Sequence, residues 1–400
     1  MYLMHEDRVV LEAQYDAKRH EFVRPLTMLS CADAPIGTLD TYGRVTLATL
    51  NEWWHNRAIP ASRDDIERLL RLLGVDDSRT LLEDGLGLSL SDTYWIKPEA
   101  ADLSWAQVNF FENDFPDDLA KLTLAESPGT MPHGARGARP AANPSSSANG
   151  DLMKGWVIED GRRYLLKDGR GFTAQEVYNE RAASRLYETM MQPDEFVEYE
   201  IWRRGDRVYS ACEDFMSGGE DLVSAAELVF ATKPLGSMSN YDWCVAAFEM
   251  TGVENAELII CRMLACDFVL ANYDRHYGNF GVVRDARSNT FVRMAPIYDS
   301  GNSLWCNRRF LETLADYAYE AMPFAYKGVD RVKARPERQL GMLRNWDWYE
   351  PHVFDVAPDI VEQTLLENDA MSGKRASLVC EAVRRNVQTV RVYADRAARM

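Results

Sequence analysis

The sequence predicts an α+β protein in three parts: an N-terminal α+β subdomain over residues 1–125, a small strand-rich lobe with one helix over 151–220, and a larger helical lobe over 221–400. Three observations predict it. The stretch 126–150 carries four Pro, four Gly and no Phe, Trp or Tyr, so it reads as a flexible linker or a covering loop. Beyond it, two runs that alternate apolar and polar residues turn on Asp160-Gly161 and Gly205-Asp206, as hairpins do. From Asp221 the pattern becomes mostly helical. A chain of 400 residues also exceeds the ~250–300 at which single cores stop growing.

The N-terminal part opens with two runs that pair as strands, "RVVLEAQYD" and "EFVRPLTML". "PASRDDIERLLRLLG" reads as a helix capped by Ser62, with Ile66, Leu69, Leu70 and Leu73 as its apolar stripe and Gly74 as its stop. Trp53, Trp54, Trp95 and Trp105 read as core anchors. In the small lobe, the hairpin "GWVIEDGRRYLLKDG" precedes the helix "TAQEVYNERAASRLYETM", with Thr173 and Glu176 spaced as a capping box. The second hairpin, "VEYEIWRRGDRVYSACEDF", follows. In the large lobe "NAELIICRMLACDFVLAN" is apolar enough to be buried on most sides. "FGVVRDARSNTFVRMAP" is a short hairpin, and helices fill the rest.

Composition narrows the function classes. No apolar run approaches the ~18 residues of a membrane span, and the first ten residues lack the pattern of a secretory leader, so a cytoplasmic protein is expected. Seven scattered Cys without a C-x-x-C pair, and six His without H-E-x-x-H, argue against a disulfide framework or a zinc site. The net charge is −17, and residues 1–125 hold 12 Lys and Arg against 22 Asp and Glu. That excludes direct nucleic-acid binding as an expectation and is compatible with a small basic protein partner. No basic amphipathic stretch is present to meet an anionic membrane.

The segment "LANYDRHYGNF" places Asp274, His276 and Asn279 directly after the apolar helix. The spacing from Asp274 to Asn279 is that of the protein-kinase catalytic loop, where the Asp accepts the acceptor proton and the Asn ligates magnesium. Asp299, in "APIYDSG", lies just past the next hairpin, where a carboxylate can turn back and complete a hard-oxygen site with Asn279. Lys167 ends an apolar strand, and Glu176 and Glu180 follow on one helix face. Glu180 is the favoured partner to hold the Lys167 ammonium at the phosphates, leaving Glu176 to the helix start. Glu213, Asp214 and Phe215 stand where the chain would cross between lobes and meet an adenine. Before the first hairpin, Asn149 and Gly150 can offer backbone N–H groups and Lys154 a cation. Ser145, Ser146 and Ser147 would then lie near the γ-phosphate, as candidates for self-phosphorylation.

These motifs, "YLLK", "YNERAASRLY", "NYDRHYGNFGVV" and "APIYDSG", occur in the order seen in HipA-like serine/threonine kinases, which the chain resembles across roughly 150–310. The resemblance implies a two-lobed protein kinase-like fold with a small extra subdomain in front. It implies ATP and magnesium as cofactors and a protein Ser or Thr as acceptor. It also implies Asp274 as base, Asn279 and Asp299 as metal ligands, Lys167 on the phosphates and His276 as a loop brace. HipA-like kinases are often toxins paired with a DNA-binding antitoxin. Typical members carry a Lys near Tyr277–Gly278; the D-R-H-x-x-N form here is that of phosphatidylinositol kinases, which keeps a lipid or small-molecule acceptor open. An inactive ATP-binding regulatory module is the remaining alternative.

Overall fold

The N-terminal strands pair into an antiparallel sheet because their apolar residues alternate. In the computed structural model, which describes all residues except 65, 125–141, 149, 172, 233–237, 310, 313–316, 325–334 and 400, this sheet has the order β3-β2-β1-β4. Its strands are β1 (Tyr2–His5), β2 (Arg8–Asp16), β3 (Glu21–Met28) and, later in the chain, β4 (Tyr94–Lys97). Helix α1 (Leu47–Asn56) closes one face with Leu50, Trp53 and Trp54. The four expected Trp anchors are all buried. Helix α2 (Ile66–Leu73) buries Ile66, Leu69 and Leu73, and Gly74 leaves it in the left-handed region at φ 68°. Residue 65, where a cap by Ser62 would be received, lies outside the described residues; the Ser62 hydroxyl donates to Asp151 Oδ1 at 2.6 Å. Helices α3 (Ser78–Asp84), α4 (Trp105–Val108) and α5 (Asp118–Leu124) complete this region. Most of the expected linker lies outside the described residues.

The second sheet runs β5-β6-β8-β7. Its hairpins are β5 (Lys154–Glu159) with β6 (Arg162–Lys167), and β7 (Glu200–Arg204) with β8 (Arg207–Glu213). Asp160 and Gly161 both have positive φ, 49° and 76°, the two-residue turn whose twist matches paired strands. Between the hairpins lies helix α6 (Gln175–Glu188), buried along most of its length. The Thr173–Glu176 capping box does not form. The helix begins after Ala174, itself left-handed at φ 43°, and the Thr173 carbonyl accepts from Asn368 Nδ2 at 2.6 Å. The Glu176 carboxylate accepts from the Arg170 N–H at 3.1 Å. The chain folds back so tightly that a Cβ on Gly169 would sit 2.6 Å from Ala174 Cα. Tertiary contacts thus displace the local cap.

A third sheet, β11-β10-β9, contains the expected hairpin as β10-β11 and adds an unexpected strand, β9. Strand β9 (Glu220–Ser224) is short and finds its partner β10 (Gly281–Asp285) far along the chain; β11 (Phe291–Met294) pairs on the other side. Gly281 allows this approach, since a Cβ there would lie 2.2 Å from the Val223 carbonyl oxygen. Helices α7 (Ala225–Ala231), α8 (Asn240–Glu249), α9 (Ala256–Val269), α10 (Pro336–Leu340), α11 (Ala357–Leu366) and α12 (Gly373–Ala397) follow in the chain. Residues of α6, α9, α11 and α12 share one apolar core, with α9 at its centre. Among the described residues no helix is long and apolar enough to cross a membrane.

The first and third sheets meet around Asp221, which is 1% exposed. Its Oδ2 accepts from His5 Nε2 at 2.8 Å and Arg284 Nη2 at 2.9 Å. Its Oδ1 accepts from the Thr93 N–H at 2.9 Å and hydroxyl at 2.8 Å. Burial alone would raise its pKa, but these donors hold it well below the carboxylate range. Removing one partner of a buried ion pair leaves the other uncompensated, at a cost of about 3–5 kcal/mol. Urea unfolding of Asp221→Ala should therefore show a loss of about that size.

Candidate active site

The register of β5 and β6 sets Lys154 opposite Lys167, so both side chains leave the same face of the sheet. That face walls a cavity of about 460 Å³, lined also by Glu213 to Met216 after β8, by Asp274, His276, Gly278 and Asn279, and by Tyr298, Asp299 and Asn302. The cation, acid, amide and base candidates read from the sequence therefore line one cavity.

Lys167 is the best-determined of them. It is 4% exposed, and its Nζ donates to Asp299 Oδ1 at 2.9 Å, Glu180 Oε1 at 3.1 Å and the Tyr199 hydroxyl at 3.1 Å. The Tyr199 ring lies under the ammonium at 4.9 Å. Burial opposes the charge on Lys167, but Asp299 and Glu180 outweigh it and hold its pKa well above the usual lysine value. Burial likewise pushes the Glu180 carboxyl up against the pull of Lys167. Asp299 goes the other way: burial is overcome by Lys167 and Lys154, and its carboxyl stays well below the ordinary range. Glu180 also accepts from the Ser300 N–H at 2.8 Å, so helix α6 grips the chain beside Asp299. Asp299 is left-handed at φ 60°, as are Ala271, Leu304 and Trp305 nearby. Non-glycine residues in that region collect where the surroundings over-determine the backbone.

The loop at 274–279 is held by residues the sequence reading passed over. Arg275 is fully buried and donates to Asp267 through Nε at 2.9 Å and Nη2 at 3.0 Å. It also donates to the Asn279 carbonyl at 2.8 Å, to the Tyr298 carbonyl, and to Ser300 Oγ at 3.0 Å. One guanidinium thus ties the Asp274 loop to the Asp299 segment. The visible signal was Asp267, an acid flanked by apolar residues late in helix α9 that needs a cation when buried. His276 braces its own turn, its Nδ1 accepting from the Gly278 N–H at 3.0 Å; a Cβ on Gly278 would come within 2.9 Å of that ring. Asn302, also passed over, donates from Nδ2 to Asp274 Oδ2 at 2.7 Å.

The remaining candidates are placed less uniformly. Glu213 reaches the cavity edge while its carboxylate pairs with Arg162 at 3.2 Å on the surface. Phe215 stacks on Tyr298 with centroids 5.8 Å apart. Asp214 Oδ1 accepts from the Met216 N–H at 3.1 Å, and burial pushes this carboxyl up to about 7. Gly150, at φ 106°, covers Lys154: a Cβ there would lie 2.5 Å from Lys154 Nζ. Burial lowers Lys154 to about 7 against the pull of Asp299. Asn149 lies outside the described residues. The serines expected near the γ-phosphate stand in a docked turn. Pro144–Ser147 forms a single 3-10 turn, with Ser145 and Ser146 buried. Ser145 Oγ accepts from the Trp156 N–H at 2.9 Å, so this turn is docked on β5; only Ser147 of the three lines the cavity.

Among the described residues no three His, Cys, Asp or Glu side chains gather as a metal site. The oxygen donors Asn279 and Asp299 on one cavity still fit magnesium, which takes one or two protein ligands and completes its shell with phosphate and water.

No family model matches the chain. The serine/threonine-protein kinase CtkA of Helicobacter pylori is 27% identical over 106 residues, which are 25% of this chain and 32% of CtkA; the match thus spans about a third of that relative. The crystal structure of the H. pylori proinflammatory kinase CtkA aligns over 63% of this chain and 94% of its own, at 17% identity and a TM-score of 0.49. HipA of the Shewanella oneidensis MR-1 toxin–antitoxin system, solved with HipB and operator DNA, aligns over 99% of this chain and 96% of its own, at 14% identity and a TM-score of 0.57. The chain therefore has a mixed α/β fold similar to that of HipA, and the resemblance to HipA-like serine/threonine kinases read from its motifs stands.

The Asp214 shift gives a test of this geometry through stability. A carboxyl whose folded pKa lies above its unfolded value stabilises the fold below about pH 4, and that contribution is lost as pH rises through about 7. Asp214→Asn should therefore gain thermal stability over the unaltered protein at pH 8 and lose that advantage at pH 4, as read by melting curves.

Proposed function

We propose that this protein is a two-lobed, ATP- and magnesium-dependent kinase that transfers the γ-phosphoryl group to a Ser or Thr hydroxyl of a protein. The observation that carries the reading is the meeting of Lys167, Asp274, Asn279 and Asp299 on one cavity. The sheet β5-β6-β8-β7 with α6 would form the small lobe, and β9 onward the large one. Lys167, steadied by Glu180 and Tyr199, would bind α- and β-phosphate oxygens. The backbone at Glu213 to Phe215 would take the adenine. Asn279 and Asp299 would hold magnesium, which when bound neutralises phosphate charge.

The acceptor hydroxyl would approach Asp274. As its oxygen attacks the γ-phosphorus, the bond to the β,γ-bridging oxygen breaks, ADP leaves, and the hydroxyl proton passes to the Asp274 carboxylate. Asn302 would keep that carboxylate from rotating through its 2.7 Å bond. Gly278 in place of the family's usual Lys supports a second reading, with a lipid or small-molecule hydroxyl as acceptor. The net charge of −17 suits a small basic partner of the antitoxin kind, and the similar HipA was solved with HipB.

Labelling with γ-phosphate-tagged ATP, with and without magnesium, alone and with cell extract, tests the reading. Transfer to protein should require magnesium and vanish in Asp274→Ala while ATP binding persists; label appearing only in lipid or small molecules would select the second acceptor. Equal labelling by both proteins would remove Asp274 from its role. Asn302→Ala should lower kcat roughly tenfold to a hundredfold with KM for ATP little changed, since a hydrogen bond to a charged group is worth about 1.5–3 kcal/mol. Steady-state kinetics separates the two parameters.

A further inference from the structure

The cavity has a wall that no kinase lobe supplies. Pro60, Ser62 and the segment from Ser89 to Ser91 line it from the N-terminal region. Behind that wall lies Arg63, which is 3% exposed and does not itself line the cavity. Its Nε donates to the Gly150 carbonyl at 3.0 Å, and its Nη2 donates to the Ala148 carbonyl. Two flanking bonds fix the same stretch: the Asp64 N–H donates to the Asp151 carbonyl at 3.0 Å, and the Ser62 hydroxyl to Asp151 Oδ1 at 2.6 Å. Asp64 also pairs with Arg170, beyond β6, at 2.9 Å.

The orientation of these bonds decides what they do. A trans peptide points its C=O and the following N–H in opposite directions. With the Gly150 carbonyl turned to Arg63, the Asp151 N–H is turned away from it, and Ala148, Gly150 and Asp151 all line the cavity. A guanidinium that takes the Gly150 carbonyl from behind therefore leaves the Asp151 N–H for an anion in front, and adds a fixed positive charge behind it.

We propose that Arg63 is a positioning residue that sets the Gly150–Asp151 peptide for the phosphates of a nucleotide, so that the N-terminal region is part of the nucleotide site. This rests on the reading of the cavity as a nucleotide cleft. It explains why a region outside both lobes is fastened to Ala148, Gly150 and Asp151 by four hydrogen bonds from three consecutive residues. By linkage, nucleotide binding then tightens the hold on residues 62–64 to the same degree that the hold favours binding.

Calorimetric titration of the full chain with magnesium–ATP and with adenosine tests this on three proteins: unaltered, Arg63→Met and Arg63→Lys. Met keeps the buried volume without donors, and Lys returns the charge and one donor. ATP affinity should fall about tenfold or more in Arg63→Met, the scale of one lost charge-assisted bond, and less in Arg63→Lys. Adenosine affinity should stay within about twofold, because the base and ribose do not meet this stretch. Unchanged ATP affinity in Arg63→Met, or an equal loss for adenosine, would overturn the inference. Absence of ATP binding by the unaltered protein would overturn the nucleotide reading beneath it. Hydrogen exchange of the unaltered protein needs no variant to fold: ATP should slow exchange at 62–64, and no slowing would count against the proposal.

Discussion

The buried ammonium of Lys167 is the constraint around which the site is built. A charge at 4% exposure cannot be left unmatched, and here two carboxylates and a phenol hydroxyl surround it. Those partners come from separate places: Glu180 from helix α6, Asp299 from the segment after β11, Tyr199 from the approach to β7. Satisfying one cation therefore fixes a strand of the second sheet, the helix packed on it and the segment beyond the third sheet relative to one another. The Ser300 N–H bond to Glu180 adds the backbone to that set.

Two further buried cations extend the same logic outward. Arg275, neutralised by Asp267 at the end of α9, carries the hold from Asp299 to the loop bearing Asp274 and Asn279. Arg284, paired with Asp221, which also accepts from His5, joins β10 to the N-terminal sheet. Each such group is weak evidence for net stability, because desolvation offsets much of the attraction. What each does supply is geometry, since few arrangements satisfy a guanidinium on every side. The apolar core of α6, α9, α11 and α12 provides the driving force, and the buried charges fix which arrangement of loops that core supports.

Much of this was legible in the sequence, and the failures share a cause. Asp160-Gly161 and Gly205-Asp206 announced their hairpins because turn chemistry is local. Asp274, His276 and Asn279 stood out because three polar groups crowd the end of an apolar helix. Strand β9 was missed because five residues show too little alternation and the partner strand lies far downstream. The Thr173–Glu176 cap, a local preference, is overridden by Asn368 and the fold-back at Gly169. Arg63 and Arg275 sit in polar stretches where an arginine usually faces water, and nothing nearby in sequence marks them as buried. Asp267 alone carried a readable signal. The serines at 145–147 looked like a mobile cover because composition reports low burial on average, whereas Ser145 is bonded to β5.

The account stands on Asn279 and Asp299 serving one divalent ion together with a nucleotide beside Lys167. Electron paramagnetic resonance of manganese, a spin-bearing substitute for magnesium, reads that most directly when titrated with a non-hydrolysable ATP analogue. The free manganese signal should fall on addition of protein and analogue together. It should remain with either alone, and with Asp299→Ala or Asn279→Ala in place of the unaltered chain. A ternary complex equally tight in both variants would place the ion elsewhere and contradict the account.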